Sequence, residues 1–150
     1  MKFPPRTRRR KAGFTLVELM IATSITGVLA SVAYPSFSGV LLRVRRAEAL
    51  VAMLQLQQAQ ERWRSGSNHY GTLAEVGVAS AVPGGNYLLS LSDLTATGYR
   101  ATAQGKGAQA HDSACRYLVV AFESGNLSYH SGETEAAANG EQANRKCWNV

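Results

Sequence analysis

The feature that most constrains this chain is a long stretch, residues 19–42, that carries no charged side chain. Residues 14–34 alone are long enough for a helix that crosses a bilayer, which needs about 20 apolar residues. Six Lys or Arg residues and no acid stand within the first 11 residues before it. Because basic flanks stay on the cytoplasmic side of a membrane, we expect residues 1–13 to face the cytoplasm and the chain beyond about residue 37 to be exported.

The charge balance places the basic excess in this leader and not in the body of the protein. The chain has 16 Lys and Arg against 10 Asp and Glu, a net charge of +6. Without residues 1–13 the remainder has ten residues of each sign. The basic composition is therefore no evidence that the body of the protein binds nucleic acid.

An ordinary secretory signal is the alternative for this segment, with a cut after Ala33 at the small-residue pattern Ser31-Val32-Ala33. Glu18 favours a helix that stays attached. A carboxylate in an apolar membrane helix costs roughly 2.5–3.5 kcal/mol, and such residues are functional by default. The nearest cation would be an amine freed by a cut between Gly13 and Phe14.

The ten residues from Lys11 to Met20, KAGFTLVELM, resemble the cleavage and assembly motif of type IV prepilins and related pseudopilins. The resemblance implies that a prepilin peptidase cuts after Gly13 and N-methylates Phe14. It also implies that Glu18 acts in assembly through the terminal amine of a neighbouring subunit. Pro35 lies where pilins commonly carry a helix-kinking proline, so we expect the helix to bend or break there.

Beyond Pro35 the pattern predicts that the helix continues to residue 64 with one apolar face. The apolar residues at three- and four-residue spacing are Phe37, Val40, Leu41, Val44, Ala47, Leu50, Val51 and Leu54. We expect the stripe within 44–54 to pack against a sheet. The cluster Arg43, Arg45 and Arg46 is interpreted as a solvated face near the membrane, with contacts to acidic groups of neighbouring subunits as the alternative.

The rest of the chain predicts a small sheet. Residues 66–85 have a loop composition, and strand patterns follow at Asn86–Ser92, Gly98–Gln104, Arg116–Phe122 and Leu127–His130. Short connections favour an antiparallel meander. The fold class is therefore α+β, and the resemblance makes it the type IV pilin fold, with a long helix packed on a small antiparallel sheet.

The exported location favours a disulfide between Cys115 and Cys147. Pilins carry a comparable disulfide-bounded C-terminal region. The Cys147-Trp148 ending, the helix over 47–63 and the stretch 68–70 look like the short minor pilins of the E type. The predicted organisation is a cleaved leader, an assembly helix, an amphipathic helix and a globular head, at 1–13, 14–37, 38–65 and 66–150.

Catalytic and metal-binding motifs are not found in the sequence. His69, His111 and His130 are the only histidines, and none stands in a catalytic or metal-ligand motif. We expect no enzyme activity, no metal and no cofactor. Five basic head residues are candidates for a DNA-binding stripe if the fold brings them together: Arg100, Lys106, Arg116, Arg145 and Lys146.

The resemblance implies a structural subunit, a minor pilin, that joins or primes a type IV pilus for motility, adhesion or uptake. Its partners would be the prepilin peptidase, other pilin subunits, inner-membrane lipid and the pilus assembly machinery. The subunit would stand in the inner membrane before assembly and in the extracellular fibre afterwards. A pseudopilin of a type II secretion system and a DNA-binding minor pilin are the alternatives.

Overall fold

The computed structural model describes residues 13–135 and 141–148, with only the backbone described at 34–36 and 141–143. The predicted leader lies outside this range apart from Gly13. The chain divides into two compact units, Met1–Gly39 and Val40–Val150. Helix α1, Leu16–Arg64, begins in the first unit and ends in the second.

The first unit consists of the apolar part of α1. Leu16–Ala33 is long and apolar enough to cross a membrane, with a mean hydropathy of 1.9, and none of it is buried. The hydroxyls of Thr23, Ser24 and Thr26 donate to carbonyls of the preceding turn at 2.8–3.0 Å, so these polar groups are satisfied within the helix. The helix is continuous through Pro35, so the predicted break does not occur, and the bend expected as its alternative stays a prediction.

The second unit contains a four-stranded antiparallel sheet in the order β1-β2-β3-β4. The strands are β1 (Tyr87–Ser92), β2 (Gly98–Gly105), β3 (Tyr117–Glu123) and β4 (Asn126–Gly132). The predicted meander is therefore confirmed. Ser124 and Gly125, both at positive φ (49° and 88°), form the two-residue turn that pairs Glu123 with Asn126.

One face of α1 packs on this sheet. It carries Arg46, Ala49, Met53, Leu56 and Gln60, each at most 7% exposed. The core opposite includes small residues of β2, such as Ala101 and Ala103, and small side chains let a helix approach a sheet closely.

The stripe predicted to pack on the sheet is the wrong face. Val44, Val51 and Leu54 are 53%, 53% and 54% exposed, and Leu50 is only half-buried. This part of α1 has two apolar faces. The three- and four-residue spacing used for the prediction belongs to the face that points away from the sheet.

The loop between α1 and β1 is held by a buried amide. Gln60 donates to the Gly71 carbonyl at 2.6 Å and accepts from the Gly71 N–H at 2.9 Å. Beside it Tyr70 packs on Tyr99 and Phe122, with ring centroids 4.9 and 5.6 Å apart. The loop is thus fixed to both layers although it contains no helix or strand.

The predicted disulfide Cys115–Cys147 is confirmed. It joins a short 3-10 turn, Ser113–Cys115, to helix α2, Glu141–Trp148. A second 3-10 turn, Gly107–His111, lies just before Ser113–Cys115 in the chain. Neither turn was predicted from the sequence, and neither was α2, which is too short to be stable by itself.

Candidate assembly and binding surfaces

The processing and assembly motif lies at the start of α1. Phe14 is 83% exposed, and a Cβ at Gly13 would meet nothing within 4 Å. Thr15 and Glu18 form a capping box: the Glu18 N–H donates to Thr15 Oγ1 at 3.2 Å, and the Thr15 N–H donates to Glu18 Oε2 at 3.5 Å. The carboxylate therefore satisfies a free N–H of its own helix.

A second surface, here called the outer stripe, lies on the part of α1 within the second unit. Its members are Val40, Val44, Ala47, Val51 and Leu54, all exposed. They recur at three- and four-residue spacing, so they share one side of the helix. An open groove of about 400 Å³ runs beside Val44 and Val51 and ends at Pro83 of the loop before β1.

The buried network around Arg46 holds the helix to the rest of the head. The Arg46 guanidinium donates to Asp112 Oδ2 at 2.6 Å and to the Lys146 carbonyl at 2.7 Å. Gln109 donates to Asp112 Oδ2 and to the Tyr87 hydroxyl, at 3.2 and 3.0 Å. Removal from water raises the pKa of the Tyr87 hydroxyl to about 12.

Both sequence interpretations of the arginine cluster are therefore wrong for Arg46. It is buried and forms an ion pair inside its own chain. The cause is the Asp112 carboxylate, which is also buried and would be a costly unpaired charge without the guanidinium. Arg43 is exposed and Arg45 is half-buried, so the solvated interpretation suits Arg43.

Four of the five basic residues proposed as a DNA stripe lie at one end of the sheet, here called the basic end. Lys106 and Arg116 flank the 3-10 turns that follow β2, and Arg145 and Lys146 lie on α2 beside the disulfide. Arg100 does not join them. It pairs with Asp93 at 3.2 Å, near the opposite ends of β1 and β2.

Comparisons with known proteins give the family. The family described as "Type IV minor pilin ComP, DNA uptake sequence receptor" matches residues 35–119, more than half of the chain. The "Prokaryotic N-terminal methylation motif" matches residues 8–34. The chain belongs to the type IV pilin family.

Individual relatives of this pilin come from both pili and secretion systems. It is 39% identical to the type IV major pilin protein PilA of Myxococcus xanthus over 79 residues, 52% of this chain and 34% of that protein. It is 32% identical to the type II secretion system core protein G of Aeromonas hydrophila over 65 residues, 43% of this chain and 46% of that protein. The chain thus spans about a third to a half of the length of these relatives.

Two features of this pilin were missed in the sequence. The spacing Thr15-x-x-Glu18 before an apolar run is a capping-box pattern, so that contact could have been found. Nothing in the sequence pairs Arg46 with Asp112, which stand 66 positions apart. Among the described residues no group of three or more His, Cys, Asp or Glu could hold a metal ion.

Proposed function

We propose that this chain is a minor pilin, a subunit that is anchored in the inner membrane by its N-terminal helix and then assembled into a type IV pilus. The observation that carries the proposal is the outer stripe, a row of exposed apolar side chains on a head that already has its own core. Large exposed apolar patches mark interaction sites. Filaments need such a surface because their contacts join different patches of successive subunits.

The proposed processing step is a cut between Gly13 and Phe14 by a prepilin peptidase, followed by N-methylation of Phe14. The motif match over residues 8–34 supports it. The cut removes 13 of the 150 residues and leaves 137. Intact-mass measurement of the membrane protein should show that loss and one added methyl group, and the same chain from cells without the peptidase should keep its leader. A mature terminus at Tyr34 would contradict the proposal.

Glu18 is proposed to take the methylated amine of a neighbouring subunit as its partner during assembly. In the single chain its carboxylate accepts the Thr15 N–H, so the neighbour's amine would add a charge to a site already held by the helix. Glu18→Val should abolish filament formation without affecting insertion, as measured by the yield of sheared filaments and by membrane fractionation. Thr15→Ser, which can still cap the helix, is the matched control. Normal filaments from Glu18→Val would refute the pairing.

The outer stripe is proposed as a surface of the head that contacts a neighbouring subunit in the filament. Val51→Asp should leave the head folded, because Val51 is 53% exposed, and should lower filament yield at least tenfold, because an acid would be buried without a partner. Leu88→Asp is the control, since Leu88 is 38% exposed on β1 and alternates with the buried Tyr87 and Leu89, which places it on the face of the sheet away from the helix. Equal losses in both variants would contradict a specific role for the stripe.

A pseudopilin of a type II secretion system is the second candidate function, favoured by the core protein G relatives. The two candidates differ in what a deletion removes. Loss of surface filaments with normal enzyme secretion supports the pilus subunit. Loss of secretion with normal surface filaments supports the pseudopilin.

DNA binding by the head is a further candidate, favoured by the receptor description of the matched family. Lys106, Arg116 and Lys146 at the basic end are its candidate contacts. Binding through phosphates must weaken as salt is raised. A gel shift of duplex DNA with the detergent-solubilised full chain should show a complex at low salt that dissociates as salt is added; absence of a complex at low salt would end this candidate.

A further inference from the structure

The head is nearly neutral as a whole, with ten bases and nine acids in residues 40–150, but seven of its bases lie at one end. The basic end, defined above by Lys106, Arg116, Arg145 and Lys146, is extended by three arginines of α1, Arg43, Arg45 and Arg46, to seven bases. The acids there are Glu48, Asp112, Glu133 and, on α2, Glu141. The opposite end, at the β1–β2 and β3–β4 connections and the end of α1, is balanced, with Arg62, Arg64 and Arg100 against Glu61, Asp93 and Glu123.

Contacts between four separate elements bring the seven bases together. Gln109 of the first 3-10 turn donates to the Leu42 carbonyl, next to Arg43. The Arg46 guanidinium binds the Lys146 carbonyl, and the disulfide joins the neighbours of Lys146 and Arg116. The basic end is therefore one surface and not a run along the sequence.

Acidic groups of the same chain neutralise only part of the positive charge of this surface. Asp112 is buried against Arg46, and Glu133 lies 3.6 Å from Arg116. Lys106, Lys146 and Arg43 are exposed, and among the described residues no hydrogen bond or ion pair engages their side chains. The surface keeps an excess of positive charge that a partner can use.

The same end is the one tethered to the membrane helix. Arg43 lies only ten positions beyond Ala33, the last residue of the apolar segment Leu16–Ala33. Ten residues span at most about 35 Å even when fully extended. In a membrane-anchored subunit Arg43 therefore stays within about 35 Å of the end of the membrane-spanning segment, whatever the orientation of the head.

We propose that the basic end binds anionic phospholipid headgroups of the membrane that holds the unassembled subunit. The inference rests on the proposed membrane anchoring. Each Lys or Arg near an anionic lipid surface raises its occupancy about fivefold, and the tether makes the encounter intramolecular. A free DNA duplex attracts the same bases but lacks the tether, so the tether favours lipid over nucleic acid as the partner in this state. Assembly into a filament must then release the head from the lipid.

The test compares the full chain in nanodiscs of phosphatidylcholine alone and in nanodiscs that also contain phosphatidylglycerol. Hydrogen exchange of the segment 106–116 should slow about fivefold or more in the anionic discs. The protection should disappear in molar salt, where the Debye length falls to about 3 Å. Lys106→Glu should remove most of it. Arg62→Glu, the same charge reversal at an exposed residue of the opposite end, should leave it intact.

Three results would overturn the proposal. Equal exchange in the two kinds of disc would show that no anionic lipid is bound. Equal losses in Lys106→Glu and Arg62→Glu would show that only net charge matters. Protection by added duplex DNA in discs without anionic lipid, with no effect of phosphatidylglycerol, would make the surface a nucleic-acid site. Failure of the chain to enter nanodiscs at all would contradict the proposed membrane anchoring as well, and is detected before any exchange is measured.

Discussion

In the head, the less hydrophobic face of α1 is buried and the more hydrophobic face is exposed. The face toward the sheet contains Ala49, Leu56, Gln60 and the ion-paired Arg46, all buried. The outer stripe consists almost entirely of valine and leucine and is exposed. The core accepts polar groups because each has a partner at a fixed place, and it accepts alanine because the sheet opposite is also built from small residues. Large apolar side chains remain on the other face, where no residue that the structure describes covers them.

A helix of a globular protein usually has one apolar face, which stabilises the fold. In α1 we expect the face toward the sheet, here called the inner face, to stabilise the head and the outer stripe to contact another subunit. Stability of the head depends on the inner face, and the outer stripe can change without loss of the fold. If the outer stripe served the fold, its substitution would destabilise the head. The two faces can therefore be tested independently.

Arg46→Ala should have the largest effect on stability. The change leaves the Asp112 carboxylate buried without its cation and the Lys146 carbonyl without its donor, which costs about 3–5 kcal/mol. Arg43→Ala, at an exposed position of the same turn, should change stability by no more than about 0.5 kcal/mol. Denaturant unfolding of both variants measures the difference. Similar values would mean that the buried pair does not hold the inner face.

Leu56→Ala and Leu54→Ala compare the two faces with the same chemical change two residues apart. Leu56 is fully buried, so its truncation should cost about 2–5 kcal/mol. Leu54 is 54% exposed, and its truncation should cost under about 1 kcal/mol while lowering filament yield. Thermal unfolding and filament yield, measured on both variants, should rank them in opposite order. The same ranking in both assays would refute the division of roles.

Alkaline titration should destabilise the inner face through Tyr87. Its pKa in the folded chain is raised to about 12 from 10, because burial disfavours the phenolate. The neutral hydroxyl therefore contributes stability that is complete below pH 10 and is lost as the pH rises toward 12, by about 2–3 kcal/mol. Melting temperatures across this range, with Tyr87→Phe as the reference, measure the loss. An equally steep loss in Tyr87→Phe would assign the effect to other groups.

Gln60→Leu should show the smallest effect of the four. It removes both hydrogen bonds to Gly71 and leaves two backbone groups unsatisfied, at about 1–3 kcal/mol. Gln58→Leu, on the exposed side of the helix, should be nearly neutral. Hydrogen exchange at the Gly71 amide should speed up only in Gln60→Leu. Unchanged exchange there would show that the loop is held by its aromatic contacts alone.

Local patterns in the sequence predicted the features that depend on local chemistry. The apolar run, the strand alternation and the helix stop after Arg64 gave the elements within a few residues of their bounds. The exported location predicted the disulfide. Contacts that join distant segments could not be predicted this way, because nothing in the neighbourhood of Arg46 indicates Asp112 or Lys146 as its partners.

Helix α2 was not predicted, and the wrong face of α1 was predicted to pack on the sheet, for the same reason. Residues 141–148 are mostly good helix formers, but the segment is too short to be stable by itself. Helix α2 depends on tertiary contacts: the disulfide at Cys147, the Trp148 indole N–H on the His130 carbonyl and the Arg46 guanidinium on the Lys146 carbonyl. An apolar stripe likewise shows that a face will be covered and does not show whether the cover is the same chain or another.

The bonds of Arg46 also determine how the head would respond to force. In the proposed pilus, tension would enter each head along α1, and Arg46 lies only six residues beyond Val40, where the second unit begins. Its guanidinium passes load directly to α2, and Cys147 returns it through a covalent bond to Cys115 and the sheet behind. Arg46, α2 and the disulfide thus connect the sheet to α1 at the point where the load enters. We therefore expect that the strands do not separate one at a time from the C-terminal end. In the proposed pilus we expect a head with this closure to resist pulling at Arg46 and α2 before the sheet bears load.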